Sequence, residues 1–284
     1  MPEVITAKTA GFCFGVNRAV DTVYGEIEKA KGPVYTYGPI VHNETVTSDL
    51  EAKGVNIIDS EEELEKAEKG TIIIRAHGIP ERVEKLCRDK GFEIIDATCP
   101  FVKKIHNIVR DEHAKGRRII IVGDETHPEV IGIRGWAGED AVVIDSVDSF
   151  TALALPQDKK YSLVVQTTFN YEKITEIIAS LQNLKYDIIC FNTVCNATQE
   201  RQKEAGKIAS SVDAMIVIGS KNSSNTRKLY DICSQRCDVT VLIQTLDDLT
   251  RKDLYSVNSV GITAGASTPK NIIEEVQNHV RYEL

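Results

Sequence analysis

No run of eighteen apolar residues occurs in the 284-residue chain, which argues against a membrane-spanning helix. Lysine and arginine never gather into a block and the net charge is −8, so neither a nucleic acid nor a membrane surface is an expected partner. No signal peptide is evident either: Met1-Pro2-Glu3-Val4 leads straight into strand-like residues, and the expected location is the cytoplasm. The cysteine count is telling. Seven is an odd number, and a long chain without an export signal does not build a disulfide framework from it. These cysteines are core residues, metal ligands or catalysts.

What the chain does have is a repeat. Strand-like Val4–Lys8 runs into Cys13, apolar Phe92–Ile95 runs into Asp96-Ala97-Thr98-Cys99-Pro100, and Asp187–Phe191 runs into Asn192-Thr193-Val194-Cys195. A helical pattern follows each cysteine, as in Val16, Val20, Val23 and Ile27. Three strands alternating with helices come next in every case, the second of the intervening helices in the last repeat being expected at 246–253. The spacing is regular. Polar groups close the first strand at His42, His127 and Ser223, which lie 29, 28 and 28 residues beyond Cys13, Cys99 and Cys195. A second set closes the third strand at His77, Thr167 and Ser267, at 64, 68 and 72 residues.

Short strands alternating with helices predict an α/β fold with small, mostly parallel sheets, whose functional residues collect at the carboxyl ends of the strands. The expected organisation is three pseudo-equivalent α/β units, 14–98, 99–194 and 195–284, the last completed by the N-terminal strand in 1–13. Three such units would arrange themselves trefoil-like about a pseudo-threefold axis that brings the cysteines to one centre.

Taken singly, each of the three cysteines reads as a small buried hydrophobe. A shared place in three repeats argues for convergence instead. Closed zinc sites want four ligands, and catalytic zinc usually recruits histidine or carboxylate as well. Three thiolates suit a central 4Fe–4S iron–sulfur cluster with one iron left open as a Lewis acid. Cys87, Cys190, Cys233 and Cys237 fall outside the register and are expected to be structural.

The strand-end slots are rich in neutral donors: His42-Asn43, His77-Gly78, His127-Pro128-Glu129, Thr167-Thr168, Ser223-Ser224-Asn225 and Ser267. Asn43 or Ser224 could equally cap a helix. Hydroxyls, imidazoles and helix N-termini together suit a phosphate or diphosphate. Glu129, the carboxylate within these slots, is the candidate proton donor. His106, His113 and His279 lie within helical patterns and read as surface or packing residues.

At these residues the chain resembles the family of 4-hydroxy-3-methylbut-2-enyl diphosphate reductases (the IspH/LytB family). The resemblance rests on AGFCFGVNRAV (10–20), GPIVHN (38–43), RAHG (75–78), DATCPFV (96–102), THPEV (126–130), QTT (166–168), NTVCNATQERQ (192–202), GSKNSSNT (219–226) and GAST (265–268). It spans nearly the whole chain, without the S1-type extension that some members carry. The resemblance implies that Cys13, Cys99 and Cys195 hold the cluster and that His42, His77, Ser223, Ser224, Asn225 and Ser267 grip the diphosphate, with His127 nearby. It implies further that the substrate hydroxyl binds the open iron in contact with Thr167, while Glu129 relays protons. Two electrons and two protons would expel water through an allyl intermediate, giving isopentenyl or dimethylallyl diphosphate. The electrons would come from ferredoxin or flavodoxin, since no GxGxxG nucleotide fingerprint is present.

Two rival readings are a 4Fe–4S lyase resembling quinolinate synthase and a non-enzymatic iron–sulfur sensor. A dicarboxylate substrate would favour Arg or Lys over Ser223-Ser224-Asn225. A sensor has no need of Glu129 beside His127.

Overall fold

A computed structural model describes residues 2–250, 254 and 257–282. In chain order the elements are β1 (Glu3–Thr6), α1 (Phe14–Lys29), β2 (Val34–Tyr37), α2 (Glu44–Ala52), β3 (Val55–Ile58), α3 (Glu61–Lys66), β4 (Thr71–Ile74), α4 (Glu81–Asp89) and β5 (Glu93–Asp96). Then follow α5 (Pro100–Ala114), β6 (Arg118–Val122), α6 (Pro128–Arg134), β7 (Val142–Ile144), α7 (Val147–Ala152), β8 (Lys160–Val165), α8 (Tyr171–Gln182) and β9 (Asp187–Cys190). The last are α9 (Asn196–Ala209), β10 (Ala214–Ile218), α10 (Ser224–Ser234), β11 (Val239–Ile243), β12 (Ser259–Ala264) and α11 (Lys270–Tyr282).

The strands form three four-stranded sheets with orders β3-β2-β4-β5, β7-β6-β8-β9 and β11-β10-β12-β1. Every pairing is parallel, and β1 lies beside β12. One topology therefore occurs three times, with the chain reversing its direction of travel between the first and third strands of each sheet. In open parallel sheets a crevice forms at that reversal, beyond the carboxyl ends of the strands.

Covered parallel strands need apolar side chains on both faces, which is why the central strands read as unbroken apolar runs. Ile120, Val122, Leu163 and Val165 face a core shared with Ile174, Ile177 and Leu181 of α8. Their neighbours Ile119, Ile121 and Val164 face the opposite core, with Ile105 and Val109 of α5 and Val130 and Ile133 of α6. The same alternation divides β10: Ile216 and Ile218 meet α11, and Met215 and Val217 meet α9 and α10. The four cysteines outside the repeat register line these layers. Cys87, Cys233 and Cys237 are buried and Cys190 is half-buried. Burial pushes the Cys87 thiol up to about 11 and the Cys233 thiol to about 12.

Contacts divide the chain into two compact units. One comprises Met1–Val16, His42–Val46 and Cys195–Leu284, and it contains the sheet of β11, β10, β12 and β1. The other comprises Asn17–Val41 and Thr47–Val194, and it contains the remaining two sheets. The helix expected at 246–253 is a correction: Leu246–Asp248 form only a 3-10 turn, and 251–253 lie outside the described residues. Thr245 and Asp248 close a capping box there, but three residues bury too little apolar surface to extend it.

Within the second unit, α6 meets the loop after β4 at very short range. A Cβ on Gly132 would lie 3.5 Å from the Gly78 carbonyl carbon, and one on Gly135 would lie 2.4 Å from Pro80 Cβ. Trp136 Nε1 donates to the Ile79 carbonyl at 2.9 Å, and the same indole stacks on His106, with ring centroids 5.5 Å apart. His106 is thus a packing residue, buried beneath Gly78, with its imidazole pushed down to about 4 by desolvation. Gly78 has φ +72, and a Cβ there would come within 2.5 Å of His106. Replacing Gly78 by alanine should therefore destabilise the protein by roughly 2 kcal/mol or more, through strain and overpacking combined. A thermal melt followed by circular dichroism measures this.

Candidate active site

The loops at the carboxyl ends of the strands, and the first turns of the helices that follow them, carry the sequence-predicted residues, and backbone or capping hydrogen bonds pin these loops. In the second unit, β5 ends in an Asx turn in which Thr98 N donates to Asp96 Oδ1 at 2.9 Å. Lys103 Nζ holds the other carboxylate oxygen at 2.6 Å. Arg18, on α1, donates to the Thr98 carbonyl at 2.9 Å and to the Asp96 carbonyl at 3.1 Å. Cys99 N then donates to the Ala76 carbonyl at 2.9 Å, tying the cysteine to the loop that presents His77. Pro100 opens α5, so Cys99 stands in its N-cap position.

His127 occupies the N-cap of α6, and its Nδ1 accepts the Glu129 amide at 3.1 Å. In the neutral ring that acceptor role leaves the proton on Nε2. The ring meets His77 edge to face, with centroids 5.4 Å apart. Glu129 itself is buried, 1% exposed. Its Oε1 accepts Thr167 N at 2.6 Å, and its Oε2 accepts the Thr167 hydroxyl at 2.7 Å. Burial pushes the Glu129 carboxyl up to about 7, against the opposite pull of the two Thr167 donors. A carboxyl poised there can both give and take a proton near neutrality. His77, His127, Glu129 and Thr167, predicted from two different slots of two repeats, thus share one polar cluster.

In the first unit, Ser223 caps α10 by accepting Thr226 N at 3.4 Å. Ser224, also a candidate cap, instead opens the first turn, followed by Asn225; all three are buried. Asn225 Oδ1 accepts Ala266 N at 3.0 Å. The oxygen is engaged, and Nδ2 is a donor buried with no hydrogen-bond partner among the described residues. Such a donor suits an anion. Ser267 Oγ donates to the His42 carbonyl at 3.1 Å. Asn43 Oδ1 accepts Val46 N at 3.2 Å, so Asn43 does cap α2. Cys13 precedes α1, with its amide on the Ala266 carbonyl at 3.3 Å, and Cys195 caps α9.

Sequence reasoning missed Glu44. Its Oε1 accepts Ser220 Oγ at 3.0 Å and Asn222 Nδ2 at 2.9 Å, binding the His42 segment to the loop that leads into Ser223. Only its place two residues after His42 could have drawn attention to it.

The Glu129 geometry has a consequence for stability. The folded protein retains a proton at Glu129 that the unfolded chain, at the ordinary value of 4.5, releases. Stability should be complete below about 4.5 and fall as pH rises through about 7, by on the order of 3 kcal/mol, while Glu129→Gln removes this slope. Urea titrations of both proteins across this range measure the difference.

The profile of the LytB protein family matches residues 4–281. The chain is 46% identical over 282 residues to the 4-hydroxy-3-methylbut-2-enyl diphosphate reductase of Thermoanaerobacter sp. (strain X514), covering 99% of this chain and 97% of the relative. It is 41% identical to the reductase of the same name from Aquifex aeolicus (strain VF5), covering 99% and 96%. The solved structure of the E-1-hydroxy-2-methyl-but-2-enyl-4-diphosphate reductase from Plasmodium falciparum matches with a TM-score of 0.91 at 33% identity, over 98% of this chain and 87% of that one. A family profile matched across nearly the whole length, with relatives this similar over the same span, establishes that the chain belongs to the LytB protein family.

Proposed function

We propose that the chain reductively removes the hydroxyl group of (E)-4-hydroxy-3-methylbut-2-enyl diphosphate, giving isopentenyl and dimethylallyl diphosphate in the last step of the methylerythritol phosphate (non-mevalonate) route to isoprenoids. The observation that carries this reading is the buried Glu129–Thr167 pair, a carboxyl held near pH 7 with a hydroxyl on it. A chain that only displayed a cofactor would have no use for a desolvated acid of that kind.

The balance is simple. Two electrons and two protons enter, the C–O bond breaks, one proton leaves with the hydroxyl as water, and the other goes to carbon at one of two positions. Protonated, Glu129 donates to Thr167 Oγ1, whose own O–H is then free to turn to the departing hydroxyl and pass it a proton. His127, with its proton on Nε2, donates alongside them. His42, His77, Ser223, Ser224, Asn225 and Ser267 bind the diphosphate with neutral donors. The Asn225 amide does so with an N–H that nothing else occupies among the described residues.

The donor set of the chain fits an iron–sulfur cofactor. Cys13, Cys99 and Cys195 each directly precede a helix, a place that suits an anionic ligand atom. When bound, a 4Fe–4S cluster held by these three thiolates supplies electrons and a Lewis-acidic iron. Reduced ferredoxin or flavodoxin is the electron donor in this reading. Among the described residues no helix is long and apolar enough to cross a membrane.

Protein purified without oxygen should carry about four irons per chain and consume the diphosphate with a chemical reductant. Zinc-loaded, iron-free protein that turns over would refute the cluster. The value of kcat should decline as pH rises through about 7, where Glu129 loses its proton. Glu129→Gln should lower kcat by about a hundredfold or more at unchanged iron content and KM, and wild-type turnover in that variant would remove the relay. Asn225→Ala should raise KM by roughly tenfold, the value of one hydrogen bond to a charged group.

A further inference from the structure

Helix α9 begins directly after Cys195 and buries Thr198, Arg201, Gln202 and Ala205 at helical spacing, so Arg201 points into the protein. Arg201 is 3% exposed. Arginine cannot shed its proton at neutral pH, and a charge so buried needs acceptors or anions around it. One nitrogen donates to the Ala264 carbonyl, the last of β12, at 2.6 Å. Two residues further on, the Ala266 carbonyl receives the Cys13 amide. Arg201 Nε is buried and has no hydrogen-bond partner among the described residues.

One turn along α9, Glu204 takes the amides of Lys8 and Thr9 at 3.0 and 2.9 Å and the Thr9 hydroxyl at 2.6 Å. Its charge is thus spent on the loop that leads from β1 to Cys13, rather than on Arg201 alone. Burial pulls the Arg201 pKa down to about 10, while Cys13, Glu204 and Cys195 act to keep it charged.

We propose that Arg201 is the fixed counter-charge of the Cys13 and Cys195 thiolates, a positioning residue that steadies both cysteine-bearing loops and sets the reduction potential of the cluster they hold. The inference rests on the cluster reading given above. A cluster carried by three thiolates is anionic, and every electron added makes it more so. A buried cation whose charge is felt at two of the cysteines favours the reduced state, and the effect is large where the dielectric is low. Hydrogen bonds and charges around the sulfurs are established levers on such potentials.

The test compares Arg201→Met, which removes the charge, with Arg201→Lys, which keeps it. Iron and sulfide per chain, folding by circular dichroism, and the cluster midpoint potential by a dye-linked titration followed by electron paramagnetic resonance are measured for both and for the wild type. The expected result is a shift to more negative potential in Arg201→Met, a potential near wild type in Arg201→Lys, and a kcat loss of roughly tenfold in the methionine variant at unchanged KM. A folded methionine variant that takes up no iron, beside a lysine variant that does, supports the same conclusion. An unchanged potential in a loaded methionine variant overturns it. So do equal shifts or equal iron losses in both variants, which would make the role of Arg201 one of shape alone. Wild-type protein that binds no iron would instead refute the underlying cluster reading.

Discussion

One hydrogen bond occurs in the same place in two sheets, and it fixes two of the candidate-site cysteines. Cys99 N donates to the Ala76 carbonyl, and Cys13 N donates to the Ala266 carbonyl. In each pair the acceptor immediately precedes a strand-end donor, His77 in one sheet and Ser267 in the other. The exit of the fourth strand is thereby fastened to the exit of the third, and a cysteine is placed one residue out of register with a polar side chain. Parallel strands make this possible, because their carboxyl ends lie on one edge with every amide and carbonyl aimed along the sheet. An antiparallel neighbour would carry the cysteine to the opposite edge.

The Glu129 carboxyl shows what desolvation can override. It lies in the first turn of α6, where the helix dipole favours a carboxylate, and it accepts two hydrogen bonds from Thr167, which favour the carboxylate again. Burial still prevails, and the group titrates near 7. The same two bonds give the acid its orientation: with both oxygens tied to one threonine, the carboxyl cannot turn away from the Thr167 hydroxyl. Acidity and aim therefore come from different sources, the first from burial away from water and the second from a single residue.

Much of this was legible in the sequence, for reasons that can be named. Ile72-Ile73-Ile74 and Ile119–Val122 announce covered parallel strands because both faces must be apolar. The slots are legible because strand, loop and helix lengths are held nearly constant across the repeats, so His127 and Thr167 fall where a reader of spacing looks for them. Other features were not legible. Ser223 rather than Ser224 caps α10, and adjacent serines cannot be separated by pattern. The 246–253 segment has helical residues but, over Leu246–Asp248, only a 3-10 turn. Arg18 and Arg201 act on backbone carbonyls, and Glu44 on the side chains of Ser220 and Asn222, 63 to 178 residues away in sequence, a relation that no local periodicity encodes. His106 reads as a packing residue from its helical register, but the glycine it supports can be named only from the fold.

The placement of positive charge completes the logic. Arg18 and Arg201 are directed to the carbonyls around the cysteines, whereas the predicted diphosphate slots hold hydroxyls, imidazoles and an amide. Substrate and products of the proposed reaction carry the same diphosphate, so every interaction with it is uniform binding that cannot lower the barrier. Lysine or arginine in the slots would hold the products as tightly as the substrate and slow their release. Neutral donors grip the anion more gently. Charge is useful where charge changes, which in the proposed reading is at the cysteines that would hold an electron-accepting cofactor. The separation of neutral donors from fixed cations in this chain follows that requirement: recognition where the ligand stays the same, electrostatic bias where electrons arrive.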